Sequence, residues 1–377
     1  MTFSNSENKP HQVFSHYFSR MKDPRRTNKG HHLYPLEEIL FLCISAVISG
    51  MDDWTSISLF GRSKLVWLRQ YFPYRNGIPS HDVLGKVFAA LDPTQFSKCF
   101  SEWINSIAEL TGGEVVAIDG KTLCGSDNKE TGKSAFHVVS AYASGNRLCL
   151  GQQAVSEKSN EIAAIPALLK LLTVKGCIVT IDAMGCQKNI ASTIIDKQAD
   201  YVLMVKQNQE ELKEQVEKVF SLNSKTEADI TIDAGHGRIE QRTCQAIDNL
   251  VFLDGKEDWK GLKSIAKVIS ERTDKRSGKK STETRYYISS LPAKPKVIGN
   301  AIRSHWTIEN NLHWTLDLLF KEDASLKKKG NSALNYNVLA KMALSIIEKE
   351  KESKYSKPMK RRMAALDDEF RSKLIAR

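Results

Sequence analysis

Three carboxylates occupy positions from which a folded chain could bring them together. Val115-Val116-Ala117-Ile118 is a continuous apolar run ending in Asp119, and Cys177-Ile178-Val179-Thr180-Ile181 is a second run ending in Asp182. The third acid, Glu309, sits among Trp306, Ile308, Leu312 and Leu316, which mark the apolar face of a helix. An acid flanked by core positions is costly to bury as an anion without a partner. Three converging acids would repel by about 4 kcal/mol per pair at 4 Å with an effective dielectric near 20, so such a cluster needs protons or cations. Oxygen ligands with no Cys or His beside them favour Mg²⁺, with Mn²⁺ as a substitute. Two such ions about 3.5–4 Å apart activate a water or a 3′-hydroxyl and stabilise a leaving oxygen, which is the chemistry of phosphodiester cleavage.

The elements that would position these acids can be read from periodicity. Apolar runs of this length are strands buried on both faces. Two further strands are expected at Ala135–Ala143 and Arg147–Val155, joined by the turn Ser144-Gly145-Asn146. A helix over Ser159–Leu172 contains Pro166; then come the strand ending in Asp182, a helix at Gln187–Gln198, a strand at Ala199–Lys206 and a helix at Gln209–Phe220. Three strands followed by alternating helices and strands is the ribonuclease-H-like arrangement, an α/β mixed sheet with flanking helices. In it the first and fourth strands lie side by side, which would bring Asp119 and Asp182 together.

A catalytic domain is therefore expected over residues 114–350. It is interrupted at about 223–291 by a mainly β insertion or extension, whose strand-like pieces Ile230–Asp233, Arg242–Ile247, Ile265–Arg272 and Arg285–Leu291 include a hairpin tip at Asp274–Lys280. Helical pattern returns at Lys296–Phe320 and Ser332–Lys349. Residues 1–113 read as an N-terminal helical domain, with helices at Leu36–Ile48, Trp54–Phe60, Ser80–Leu91 and Thr94–Thr111. Such a domain either recognises DNA ends or simply packs. Residues 351–377 read as a basic C-terminal tail, loosely ordered over Lys351–Lys360.

Composition points the same way. Among 377 residues, 55 Lys+Arg against 44 Asp+Glu leave a net charge of +11. Glu271–Lys296 holds eight basic and three acidic residues, and Lys349–Arg377 ten and five, so two short stretches carry nearly all the excess. A basic surface attracts polyanions, nucleic acid first among them, although charge runs are also simply solvated faces. The opening residues Met1–Arg20 lack the apolar core of a secretory signal, and Ile39–Gly50 is too short to span a bilayer. Seven cysteines without a C-x-x-C pair fit reduced thiols and give no zinc or disulfide framework. A cytoplasmic, nucleoid-associated protein with no membrane segment is expected.

The acids sit in longer motifs. These are Val116-Ala117-Ile118-Asp119-Gly120-Lys121-Thr122, Lys158-Ser159-Asn160-Glu161-Ile162 with Pro166, and Thr180-Ile181-Asp182-Ala183-Met184-Gly185-Cys186-Gln187. Tyr201-Val202-Leu203-Met204-Val205-Lys206-Gln207-Asn208-Gln209 follows, then His236-Gly237-Arg238 with Glu240 and Arg242, and His305-Trp306-Thr307-Ile308-Glu309-Asn310 through Asp317. Across almost its whole length the chain resembles the DDE transposases of bacterial insertion sequences, and most closely the H-repeat-associated proteins linked to Rhs elements.

The resemblance implies a DNA transposase that binds terminal inverted repeats as a homodimer on double-stranded DNA, frees 3′-hydroxyls and joins them to target DNA. By it, Asp119, Asp182 and Glu309 match the catalytic, metal-binding triad. Relatives that excise through hairpin ends carry Tyr, Arg and Lys around the glutamate, where this chain has Ile302, His305 and Leu316. Two other readings share the acids: a catalytically inactive DNA-binding relic, and a ribonuclease-H-like nuclease without strand transfer.

Further residues are candidate DNA contacts. Lys121 either steadies the scissile phosphate or is an exposed lysine. His236 and Arg238 lie in a turn that presents Arg to DNA, or in an ordinary polar hairpin. Arg303, His305 and Lys327-Lys328-Lys329 are candidate phosphate contacts. Trp306 stacks on a base or, lying between Ile302 and Ile308, packs in the core. Glu161 supports the triad acids or simply favours a helix N-terminus.

Overall fold

The apolar runs that end in acids form the middle of one mixed sheet. In the computed structural model, which describes residues 10–25, 32–127, 132, 134–155, 161–223, 226–235 and 237–376, nine strands are found among the described residues. They are β1 (Val115–Thr122), β2 (His137–Ala143), β3 (Leu148–Val155), β4 (Ile178–Ile181), β5 (Asp200–Val205), β6 (Ala228–Gly235), β7 (Arg238–Ile247), β8 (Ser264–Asp274) and β9 (Lys280–Ser289). Their spatial order is β3-β2-β1-β4-β5-β9-β8-β7-β6. β1, β4 and β5 run parallel, and β2 and β3 are antiparallel to their neighbours. Val116, Ile118, Val179, Ile181, Tyr201 and Leu203 are all buried. Burial on both faces explains why these strands read as unbroken apolar runs instead of alternating ones.

The expected β segment after residue 223 continues this same sheet. β9 pairs antiparallel with β5, from Val202 opposite Ser289 to Val205 opposite Tyr286, and β8, β7 and β6 follow outward. The Asp274–Lys280 segment turns the chain between β8 and β9, with the Asp274 carboxylate accepting from Ser277 N at 2.7 Å.

The helices before the sheet are α1 (Pro10–Phe18), α2 (Leu36–Ile48), α3 (Trp54–Ser63), α4 (Leu65–Leu68), α5 (His81–Ala90) and α6 (Pro93–Ile107). The starts of α3, α5 and α6 carry capping chemistry. Asp53 accepts from Ser56 N at 2.9 Å, Ser80 caps α5, and Asp92 caps α6 ahead of Pro93. α2 is apolar around its circumference and is buried on all sides, as such a helix must be. Within the sheet region come α7 (Glu161–Leu171), α8 (Lys188–Asp196) and α9 (Glu210–Leu222); after it come α10 (Pro295–His305), α11 (Trp314–Phe320) and α12 (Ser332–Lys349). Side chains from α2, α5, α6, α7, α8 and α12 share one apolar core with the sheet. A second cluster joins Ile298, Ala301 and Ile302 of α10 to Val202, Met204, Val268 and Tyr287 on the sheet.

Three expectations change. β1 runs three residues past Asp119, so that acid lies inside a strand and not at its tip. The helix expected over 296–320 is broken: a π-helical turn, Ile308–His313, separates α10 from α11. The stretch Lys351–Lys360, expected to be loose, is helical from Lys357, where α13 (Lys357–Leu366) begins, and α14 (Asp368–Ile375) follows. Their basic residues dock on the N-terminal helices. Arg361 donates to Val47 O at 2.9 Å and pairs with Asp52. Arg371 is fully buried, with its guanidinium 4.0 Å from the Trp67 ring centroid. No helix among the described residues is long and apolar enough to cross a membrane.

Candidate active site

β1 and β4 pair in parallel with Ile118 opposite Ile181, so Asp119 and Asp182 are the next residues along neighbouring strands. Residues alternate in direction along β1, which puts Asp119 and Lys121 on one face and Gly120 on the other. Asp182 leaves β4 as the cap of a short 3₁₀ turn, its carboxylate accepting from Met184 N at 3.2 Å. Glu309 comes in over the Asp119 face from the π-helical turn. π-turns of this kind recur at functional sites because the extra residue per turn re-aims side chains.

The structure brings carboxylate oxygens of Asp119 and Glu309 within 4.8 Å of each other. Burial and the neighbouring Glu309 push the Asp119 carboxyl up to about 8, with the Asp182 charge adding to the rise. Glu309 is held down at about 2, first by a hydrogen bond from His313 and also by one from Asp119. The two carboxyls are thus pushed in opposite directions, Asp119 toward the protonated form and Glu309 toward the ionised one.

His313 is the residue that sequence reading missed. Its Nδ1 lies 3.5 Å from Glu309 and 3.7 Å from Asp119, and the ring is buried. One ligand atom from each of Asp119, Glu309 and His313 falls within a common 4.8 Å. Asp182 stands beside that group, not in it. The expectation of a site without histidine is therefore corrected. The signal was present, since His313 lies four residues after Glu309 and so on the same side of a helical segment. His305 is a second histidine at the site. Its Nδ1 lies 3.0 Å from Thr180 Oγ1, and burial lowers its pKa despite the Asp182 and Glu309 charges nearby.

The remaining candidates scatter. Lys121 does not face an open phosphate position. Its ammonium pairs with Asp317, with Glu322 at 2.9 Å and with Asp323 at 3.8 Å. Lys327 is likewise withdrawn: it donates to Asp52 O at 2.6 Å, lies 3.7 Å from the Tyr336 ring centroid, and is lowered to about 8 by burial. Lys328 pairs with Asp127 at 3.5 Å. Trp306 is not a core residue. It is 40% exposed with the Arg285 guanidinium 5.2 Å from its ring centroid, because the break after α10 turns it outward. Ile302 and Leu316 are buried in apolar cores.

Glu161 sits behind the site, on the far side of β1. It meets His137 Nε2 at 2.5 Å, and both side chains are almost fully buried. A methyl group added at Gly120 would lie 2.5 Å from each of them, which is why the residue after Asp119 has no side chain. His236 lies outside the described residues, as do Lys158, Ser159 and Asn160. Arg238, Arg303 and Trp306 line a cleft of about 390 Å³ that also reaches Arg242, Arg285 and Asn310, the neighbour of Glu309. Arg303 is paired there with Asp233 at 2.9 Å.

Residues 110–346 match the family described as Transposase DDE domain, and residues 15–104 match the family described as DDE_Tnp_1-associated. The "Putative transposase YncI" of Escherichia coli O157:H7 is 42% identical, covering 96% of this chain and 93% of that protein. The "H repeat-associated putative transposase YhhI" of Escherichia coli K12 is 38% identical, covering 96% and 97%. Among solved structures, the piggyBac transposase in a synaptic complex with hairpin DNA shares the fold at a TM-score of 0.50 and 13% identity, covering 98% of this chain and 82% of that one. The chain belongs to the DDE-domain transposases, with the H-repeat-associated proteins among its relatives, and is an enzyme of the DNA-cutting and DNA-transferring kind.

Proposed function

We propose that this transposase cleaves DNA at the terminal inverted repeats of an insertion sequence and transfers the freed 3′-hydroxyls to target DNA, using Asp119, Asp182 and Glu309 on a ribonuclease-H-like sheet. The observation that carries this reading is the convergence of Asp119, Glu309 and His313, with Asp182 next in register. The cluster is short of positive charge, since its central acid keeps a proton up to about pH 8. A divalent cation is what such a donor set accommodates, so the residues fit the metal that the family implies. Asp119, Asp182 and Glu309 would hold two Mg²⁺, and the His313 nitrogen suits Mn²⁺ at least as well. When bound, the ions supply the charge that activates water or a 3′-hydroxyl and stabilises the leaving oxygen.

The chain's own groups hold the acids in place. β1 and β4 fix the two aspartates, the π-turn aims Glu309, and His313 orients its carboxylate. The arginine cleft beside Asn310, with Arg238, Arg303 and Trp306, suits the phosphates and an unpaired base of a DNA strand entering the site. His236 is assigned to the same contact on sequence grounds alone. The helices of residues 1–113 are assigned to DNA-end recognition, the chain to a homodimer on paired ends, and its place of action to the nucleoid. Ile302 and Leu316 offer no polar group to DNA, which favours a route without hairpin ends.

A cleavage and strand-transfer assay on matched inverted-repeat ends with Mg²⁺ or Mn²⁺ tests this. Nicks followed by joined products are expected. Cleavage without joining would mark a nuclease, and binding without cleavage a relic.

A further inference from the structure

The ammonium of Lys121 is surrounded by carboxylates from the segment that follows Glu309. Lys121 lies two residues after Asp119, on the same face of β1. Its partners are Asp317, in α11 eight residues beyond Glu309, and Glu322 and Asp323 just after that helix. Glu322 is itself buried and accepts a hydrogen bond from Asn337 Nδ2 of α12. The Lys121 side chain is only 15% exposed. A cation held by three acids is poorly placed to serve a phosphate, but well placed to tie two elements together.

We propose that Lys121 is a positioning residue: its ion pairs fasten the helical segment carrying Glu309 and His313 to the strand carrying Asp119, and so set the spacing of the metal-holding acids. The inference rests on the proposed function of those acids. The π-turn also packs through Ile308 and Leu312 in the apolar core it shares with β1, but apolar contacts are not directional, and the Lys121 ion pairs are what fix the segment against the strand on the side of the acids. A separate fastener, two residues along one element and eight along the other, keeps them facing each other. The mutual repulsion of Asp317, Glu322 and Asp323 is relieved by the same ammonium. Loss of Lys121 would therefore loosen α11 at its middle and just past its C-terminal end.

The test uses the full chain without DNA, titrated with Mn²⁺ and read by electron paramagnetic resonance. Lys121→Met is expected to weaken Mn²⁺ binding about tenfold or more, the scale seen when groups that orient metal ligands are removed. Lys121→Arg should restore most of it. Asp317→Asn should weaken it too, and the double variant Lys121→Met/Asp317→Asn should be no worse than Lys121→Met alone, because one fastener is lost either way. In turnover assays the Met variant should lose kcat with KM for end DNA unchanged.

If Lys121→Met does not fold, Asp317→Asn and Lys121→Arg still decide the matter. Wild-type Mn²⁺ affinity in Asp317→Asn would then overturn the proposal. So would wild-type affinity in Lys121→Met, or weaker end-DNA binding by that variant with a salt slope flattened by about one, the signature of a phosphate contact. Failure of the wild-type chain to bind Mn²⁺ at all would instead bring down the functional reading beneath it.

Discussion

Replacing Asp119 by Asn should make the metal-free protein more stable, an uncommon outcome for a residue at the centre of an active site. Burial is the largest cause of the rise of Asp119 to about 8, and the Glu309 carboxylate is the next. With oxygens of the two acids within 4.8 Å, an effective dielectric near 20 gives about 3.5 kcal/mol of repulsion when both are ionised. The sign follows from proton counting. Between the ordinary Asp value of 3.8 and about 8, the folded chain keeps a proton on Asp119 that the unfolded chain has released. Stability therefore falls as pH rises through that window, and no further above it.

Asparagine carries no charge in either state, and its amide can donate to Glu309 as the protonated acid does. Asp119→Asn should exceed wild type by about 2–4 kcal/mol at neutral pH in EDTA, a difference that shrinks toward pH 4 and levels off above about pH 8. Millimolar Mg²⁺ should reverse the order by stabilising wild type alone. Urea unfolding across the pH series, with and without Mg²⁺, measures this directly. A difference independent of pH, or equal stabilisation of both chains by Mg²⁺, would refute the reasoning.

Four other outcomes are expected. Glu309→Ala should abolish Mg²⁺-dependent strand cleavage while leaving end-DNA affinity near wild type in a gel-shift assay. Binding of the wild-type chain to DNA should weaken steeply with salt, with a log–log slope of about −7 if roughly eight phosphates are neutralised; a flat response would remove the basic cleft from the DNA path. Gly120→Ala should cost about 1–3 kcal/mol or more by thermal unfolding, because the new methyl would lie 2.5 Å from both Glu161 and His137. Arg371→Ala should lower stability by about 2–4 kcal/mol, since the guanidinium donates to Ala364 O at 2.6 Å and stacks on Trp67 with no access to water.

The sheet was legible because strands buried on both faces write themselves as apolar runs, and Asp119 and Asp182 stood out as acids closing them. That β9 would pair with β5 was not legible, since nothing local in Arg285–Leu291 names a partner strand. The C-terminal helices were hidden by composition. Arg361 and Arg371 look solvent-bound in a charge run, yet long stems and carbonyl acceptors let both be buried. Lys121 and Lys327 were misjudged for a related reason, as their partners lie 196 and 275 positions away in the chain. The π-turn left no periodic trace strong enough to separate it from a continuous helix, so the orientations of His313 and Trp306 went with it.

The place where β9 enters the sheet has consequences for how such a protein can diversify. The strands after residue 226 are no detachable module: β9 covers the open margin of β5, whose residues Tyr201–Val205 are all buried. Deleting them would leave a raw, sticky margin beside the acids. The far hairpin ends, around Gly237 and at Asp274–Lys280, carry no such duty. Drift in length and charge is therefore free to accumulate there, while the inner strands keep the acids in register.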